Sequence, residues 1–391
     1  MSDRRRFLIV FGTRPEAVKL APVILKLKDI AEVIVCVTGQ HREMLDQVLN
    51  FFSIRPDFDL NIMSKNQSLF DITSDSLKRL EKVVAKSNPH LLIVQGDTTS
   101  SFVGALSGFY KQIKVAHVEA GLRSFKKYSP FPEEMNRILT GHIADYHFAP
   151  TSNAQKNLLK ENIPQENIFV VGNTVIDALL TGLELIKQDE KRFCDYFRFL
   201  DFSKKILLVT GHRRESFGKP FENICHALKT IAEDNVEIVY PVHLNPNVRG
   251  YVYPILKGLK NIHLIEPLEY PHLIWLMSKC YLILTDSGGI QEEAPSLGKP
   301  VLVLRDVTER KEGIEVGTGI LVGTNMEKIV DSAHALLSNQ AQYNKMAMVR
   351  NPYGDGKASV RIRDILQRLT GRESETTGEG RQKKPGGIAR A

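Results

Sequence analysis

Six stretches of the chain gather charged side chains, five of them beside small residues where a run of aliphatic residues ends. The first is Phe11-Gly12-Thr13-Arg14-Pro15-Glu16. Thr13 with Glu16 reads as a capping box, and Pro15 fits a first helical turn. The free N–H groups of such a turn favour anions, and Arg14 with Lys19 one turn on adds cationic reach; the plain alternative is a strand–helix turn with a solvated arginine. The second is Gln95-Gly96-Asp97-Thr98, where Asp97 either caps the next helix or faces a cleft. In His117-Val118-Glu119-Ala120-Gly121-Leu122-Arg123 a carboxylate ends an apolar strand, which is costly unless Glu119 is paired or opens to a cavity. Arg123 is the pairing candidate, and His117 reads as a core histidine. Pro130 to Arg137 opens a helix with Glu133 and Glu134, of which the helix dipole accounts for one. Thr210-Gly211-His212-Arg213-Arg214-Glu215 is an electropositive knot suited to a phosphate or a leaving group. Last, Thr285-Asp286-Ser287-Gly288-Gly289 lets backbone approach a phosphate, with Glu293 a turn further on placed for a ribose diol and Arg305, Glu309 and Arg310 downstream.

The elements around these stretches alternate. Strand-like runs at Arg6–Phe11, Val33–Thr38, Leu91–Gln95, Lys114–Val118, Tyr146–Ala149 and Ile168–Val171 are followed by a second series from Ile206–Thr210 to Gly319–Val322. Several are continuously apolar, as strands buried on both faces should be. Helical segments such as Glu16–Lys28, Ser76–Lys86, Ser152–Glu161, Phe221–Glu233 and Pro271–Lys279 lie between them. This is an α/β pattern of two doubly wound, Rossmann-like domains, with ligands expected beyond the carboxyl ends of the strands in an interdomain cleft. The expected boundaries are 1–175 for the first domain, 176–202 for a connecting helix with a charged end, 203–350 for the second domain and 351–370 for a last helix. Residues 371–391 lack aliphatic periodicity and read as a disordered tail.

Composition narrows the function classes. The chain has 391 residues, 42% hydrophobic and 25% charged, with a net charge of +7. Its length suits two domains. Lys and Arg are interleaved with Asp and Glu, without the basic face or aromatic platforms of a nucleic-acid binder. Basic residues gather instead beside glycines at strand ends, which suits a small anionic ligand. No apolar run approaches the ~18–20 residues of a membrane span, and Phe7–Phe11 is too short for the core of a signal peptide. Cys36, Cys194, Cys225 and Cys280 have no paired spacing and read as reduced, buried residues of a cytoplasmic protein. No Walker pattern, no GxGxxG after the first strand and no Cys/His set occurs, so neither a cofactor nor a metal is expected.

In this order FGTRPEAVKLAPV, TGQHREML, QGDTTSS, HVEAGLRS, PFPEEMNR, GNTVIDAL, TGHRRE, LTDSGGIQEEAPSLGKPVL and RDVTERKEGIE resemble the non-hydrolysing UDP-N-acetylglucosamine 2-epimerases over about residues 6–370. The resemblance implies a GT-B architecture with the site between the domains, the last helix returning to the first domain, and a homodimer. It implies an isomerase that converts UDP-GlcNAc to UDP-ManNAc, feeding cell-envelope polysaccharide synthesis, by eliminating UDP to 2-acetamidoglucal and adding it back. Asp97, Glu119 and Glu133 would be the acid/base carboxylates, and His212 would assist departure of UDP. Arg14, Lys19, His212, Ser287, Gly288, Gly289 and Arg310 would hold UDP, with Glu293 on the ribose. Gln40, His41, Arg42 and His243 match the region where some relatives bind an activating second UDP-GlcNAc. Leu268 and Leu273 stand near the expected uracil pocket, where some relatives carry Gln and Phe. The alternative is a hydrolysing 2-epimerase, in which water captures the intermediate.

Overall fold

Continuous burial of the aliphatic runs settles the architecture. The computed structural model describes residues 4–39, 42–63 and 67–379, with the side chains of 42–43 and 372–379 outside that description. Among the described residues, β1 (Arg6–Phe11), β2 (Glu32–Val37), β3 (Phe58–Asp59), β4 (Leu91–Gln95), β5 (Lys114–Val118), β6 (Tyr146–Ala149) and β7 (Ile168–Val170) form a sheet ordered β3-β2-β1-β4-β5-β6-β7. A second sheet holds β8 (Lys205–Thr210), β9 (Val236–Pro241), β10 (Ile262–Ile265), β11 (Leu282–Thr285), β12 (Val301–Val303) and β13 (Gly319–Leu321), ordered β10-β9-β8-β11-β12-β13. All pairings are parallel. Parallel strands need helical crossovers, which cover both faces, so Leu8, Ile9, Val10 and Leu207, Leu208, Val209 are all buried.

Each sheet has one place where the strand order reverses: between β1 and β4, and between β8 and β11. Loops diverge there in opposite directions and leave a crevice at the strand ends. Gly12–Thr13 and Gly96–Thr98 flank the first crevice, and Gly211–Arg213 and Asp286–Ser287 flank the second. Four of the six stretches that looked chemical therefore fall at the switch points, while the stretch containing Glu119 follows β5 and Pro130 to Arg137 opens the helix after it.

The structure corrects three expectations and adds one strand. The connecting segment is two helices, Thr174–Lys187 and Glu190–Tyr196, interrupted at Gln188–Asp189. β3 is a two-residue strand, too short to produce a periodic signal. Cys194 is exposed, because Phe193 takes the inward direction on its short helix and an adjacent helical residue points elsewhere. The last helix spans Ala358–Glu379 and so enters the stretch read as disordered; adding residues to an existing helix is far easier than nucleating one. Residues 380–391 lie outside the described residues.

That last helix is tied to the first sheet's side. Asp177 accepts from the backbone N–H of Ala358 at 3.1 Å and Ser359 at 2.8 Å, and from the Ser359 hydroxyl at 2.6 Å. Ile362, Ile365 and Leu366 then join the core containing Leu20 and Val23. No described helix is long and apolar enough to cross a membrane.

Candidate active site

On the side of the first sheet, the loop after β1 is drawn tight around a buried acid. Glu16 accepts from the N–H of Gly12 (3.0 Å) and Thr13 (2.7 Å) and from the hydroxyls of Thr13 (2.7 Å), Thr98 (2.6 Å) and Ser101 (2.8 Å). Burial pushes its carboxyl above the ordinary range, and these donors pull it back. The capping box thus also clamps the β1 loop to the β4 loop. Gly12 is required, because a Cβ there would overlap the Thr38 and Ser100 hydroxyls, which bond each other at 2.9 Å.

Helix Arg14–Leu27, started by this turn, directs Lys19 to Glu119, with Nζ 2.5 Å from Oε1. Gln95, ending β4, donates to the other carboxylate oxygen. Glu119 itself follows β5 in a left-handed conformation, φ 65°. Its carboxyl is pushed above the usual range by burial; Lys19 opposes this, and Glu292 and Asp97 reinforce it. Burial pulls Lys19 down, but Glu119 and Glu292 hold its ammonium above the ordinary value. Asp97 pairs with Arg137 rather than capping a helix; Thr98 is the cap, accepting from Ser101 N–H at 3.1 Å. Arg123, the expected partner of Glu119, forms a two-pronged pair with Glu161, both contacts at 2.6 Å.

The two acids opening helix Glu133–Ile143 separate cleanly. Glu134 is structural: it accepts from the backbone N–H of Ser124 and Phe125 and meets Arg137 at 3.2 Å. Glu133 keeps a buried Oε2 without a hydrogen-bond partner among the described residues. An unmet buried acceptor is costly in a fold and useful in a site. His117 is a core histidine: Nε2 meets Gly96 O at 2.7 Å, and burial lowers its value to about 3.

The second sheet contributes two loops and a short helix. Asp286, following β11, accepts from the backbone N–H of His212 (2.6 Å) and Arg213 (2.8 Å), and its Oδ1 lies 3.2 Å from His212 Nδ1. Burial pushes its carboxyl up, but His212 and the two N–H groups hold it below its ordinary range. The aspartate thus stands at the Nδ1 edge of the ring, which leaves Nε2 as the nitrogen on the side away from it. His243 stacks on His212, with centroids 5.4 Å apart and planes 17° from parallel, and is lowered by burial and by its neighbour. The guanidinium of Arg310 lies over the Ser287–Gly289 turn, 3.2 Å from where a Cβ of Gly288 would sit. Its Nε donates to Glu292 at 2.8 Å. Glu293 accepts from the Tyr270 hydroxyl at 3.0 Å, and burial raises it to about 7 despite nearby Arg14 and Lys19. Burial in turn lowers Arg14, against Glu293, Tyr270 and Glu269.

The two halves meet. Arg310 is held above its ordinary value by Glu292 first, against burial, and then by Glu119. Lys19 and Glu119 of one lobe therefore face Glu292 and Arg310 of the other, with opposite charges alternating around the cleft. Lys19 and Glu119 are in direct contact, Arg14, Asp97, Glu293 and Arg310 are close enough for their charges to act on this set, and Gly288 lies under Arg310. His212 with Asp286 stands at the neighbouring switch point. Gln40 and His41 lie outside the described residues, as does the side chain of Arg42, so of the four positions matched to a second binding region only His243 has a described side chain. Sequence reading missed Glu16, Gln95, Arg137, Asn173, Tyr270, Asp286 and Glu292 as site builders. Glu16 is legible as the acid of a capping box, and Asp286 and Glu292 stand in or beside the candidate stretches, but no local signal says what each of them holds.

Comparison with known proteins follows the same line. The model of the family described as UDP-N-acetylglucosamine 2-epimerase matches residues 25–367. A UDP-N-acetylglucosamine 2-epimerase of Escherichia coli K12 is 54% identical over 369 residues, covering 93% of this chain and 98% of that protein. The crystal structure of UDP-GlcNAc 2-epimerase from Neisseria meningitidis bound to UDP-GlcNAc superposes with a TM-score of 0.86 at 49% identity, covering 93% of this chain and 100% of that one. A Staphylococcus aureus MnaA–UDP co-structure superposes with a TM-score of 0.81 at 47% identity, covering 94% and 97%.

Proposed function

The chain belongs to the UDP-N-acetylglucosamine 2-epimerase family, with the GT-B architecture of two Rossmann-like lobes, and from that premise we propose that it interconverts UDP-GlcNAc and UDP-ManNAc without hydrolysis. The observation that carries the reading is the cleft itself. A buried carboxylate raised above its usual range, Glu119, sits opposite the cations and glycine turn suited to a diphosphate.

The chemistry follows from the substrate. Carbon 2 of the sugar has no neighbouring carbonyl, so its proton is weakly acidic. Breaking the bond from carbon 1 to the diphosphate oxygen builds positive charge at carbon 1 and acidifies that proton. The C–H electrons then become the C1=C2 double bond of 2-acetamidoglucal, the proton passes to a carboxylate, and UDP departs with the bonding pair. Arg14, Arg310, His212 and the Ser287–Gly289 turn receive the charge that develops on the leaving diphosphate. Asp97, Glu119 and Glu133 are the groups placed to take the proton and return one to the opposite face. Re-addition of UDP completes the cycle. Glu293, bonded to Tyr270, holds the ribose diol.

Proton NMR of the purified protein with UDP-GlcNAc in D₂O tests this. A mixture of UDP-GlcNAc and UDP-ManNAc with deuterium at carbon 2 is expected. Stoichiometric UDP with free N-acetylmannosamine would replace the proposal with a hydrolysing reaction, and an unchanged spectrum would overturn it.

A further inference from the structure

One carboxylate in the cleft is fully engaged by protein groups and has no place in the chemistry above. Glu292 is 3% exposed. Its Oε1 accepts from Arg310 Nε at 2.8 Å, and its Oε2 accepts from Asn173 Nδ2 at 3.0 Å. Its own carbonyl accepts from Asn351 Nδ2 at 2.8 Å. Asn173 stands where the chain leaves the first lobe, just after β7, and Asn351 lies on the segment that leads back to the last helix. Both crossings between the lobes therefore end on the same glutamate.

The crossings also hold each other and the far side of Arg310. Asn173 N–H donates to Tyr353 O at 2.8 Å. The Tyr353 hydroxyl donates to Arg310 O at 2.9 Å and accepts from Gly313 N–H at 2.9 Å. Asn173 cannot turn freely, because its Oδ1 accepts the N–H of Val175 at 3.1 Å as a helix cap. A guanidinium has five donors in a fixed fork. With Nε taken by Glu292, the remaining fork lies over Gly288, where a phosphate oxygen would approach.

We infer that Glu292 is a positioning residue: it aims Arg310 at the diphosphate subsite and ties that aim to the geometry of the two interlobe crossings through Asn173 and Asn351. The inference rests on the UDP-sugar reading of the cleft. A buried carboxylate is a costly way to fill space, and an apolar side chain would pack there more easily if orientation were not needed. Because Arg310 touches the diphosphate before the carbon–oxygen bond breaks and receives the charge that develops as it breaks, loss of its aim should raise KM and lower kcat together, and should weaken a ligand that carries the diphosphate more than one that lacks it.

The test compares UDP with uridine, which lacks the diphosphate, as ligands of the full-length wild type, Glu292→Gln and Asn173→Ala. Wild type should bind UDP. Glu292→Gln should weaken UDP by about tenfold, the order of a lost hydrogen bond to a charged group, and leave uridine unchanged. It should add little in an Arg310→Ala background, because the two act as a unit. Asn173→Ala, which keeps the carboxylate, should show the same selectivity to a smaller degree and serves if Glu292→Gln does not fold. Equal weakening of UDP and uridine, or unchanged UDP affinity in both variants, overturns the inference. A wild type that binds no UDP overturns the functional reading instead.

Discussion

Replacing Glu293 by glutamine should stabilise the protein at alkaline pH and hardly at all at acidic pH. Glu293 is 5% exposed, and burial raises its carboxyl to about 7 from an ordinary 4.5. A carboxyl whose folded value lies above its unfolded value binds its proton more tightly in the folded chain. Its contribution to stability is whole below the unfolded value and is lost as pH rises through about 7. At 1.36 kcal/mol per pH unit, that gap corresponds to about 3 kcal/mol between the acid and alkaline plateaus. Glutamine carries no charge at either end and keeps an oxygen for the Tyr270 hydroxyl, which bonds Glu293 at 3.0 Å. Every other titrating group is common to both proteins and cancels in the difference. Urea unfolding can be followed through the single tryptophan, buried Trp275, at about pH 5, 7 and 9. The two proteins should unfold at similar urea concentrations near pH 5, with the variant ahead by up to about 3 kcal/mol near pH 9. A difference of constant size across that range, or a wild type that gains on the variant as pH rises, would refute the reasoning. UDP affinity should move the other way, because a carboxylate accepts from a ribose diol more strongly than an amide does.

Three further outcomes follow from the same contacts. Glu119→Gln should cut turnover by about 10²–10⁴-fold with UDP affinity and circular dichroism kept; near wild-type turnover would remove Glu119 from the proton transfer. Lys19→Met withdraws the cation that opposes the rise at Glu119, so the acidic limb of the kcat/KM profile should move to higher pH, and an unmoved limb would mean that another group titrates there. Asp177→Ala strips three donors of their acceptor at the start of the last helix and should lower stability to urea by about 1–3 kcal/mol.

How far the chain could be read from its letters depended on distance along it. Strands such as Arg6–Phe11 and Lys114–Val118 were legible because burial on both faces writes a local, continuous apolar run. Glycine-flanked charges marked strand ends, and the strand order of the structure then puts four of those stretches at the two switch points. Pairing was not legible. Lys19 and Glu119 lie 100 residues apart and Asn173 and Glu292 lie 119 apart, so no local pattern links them. Arg123 looked like the partner of Glu119 because it is near in sequence, yet it turns to Glu161, 38 residues on. Two adjacent acids were equally opaque in both motifs that carried them. At 133–134 and at 292–293, successive helical positions point different ways, and only the neighbouring elements decide which acid builds the fold and which faces the cleft.

The left-handed backbone of Glu119 is held against a cost. A residue with a Cβ occupies that region at a cost of about 1–2 kcal/mol, and glycine occupies it freely. Glycine here would relieve the backbone, but it would also leave the Lys19 ammonium, 2.5 Å from Glu119 Oε1, without its partner, and losing one half of a mostly buried ion pair costs more than the strain recovered. Two opposed costs therefore meet at one residue: the ion pair keeps a side chain in a conformation that the backbone alone would give to glycine.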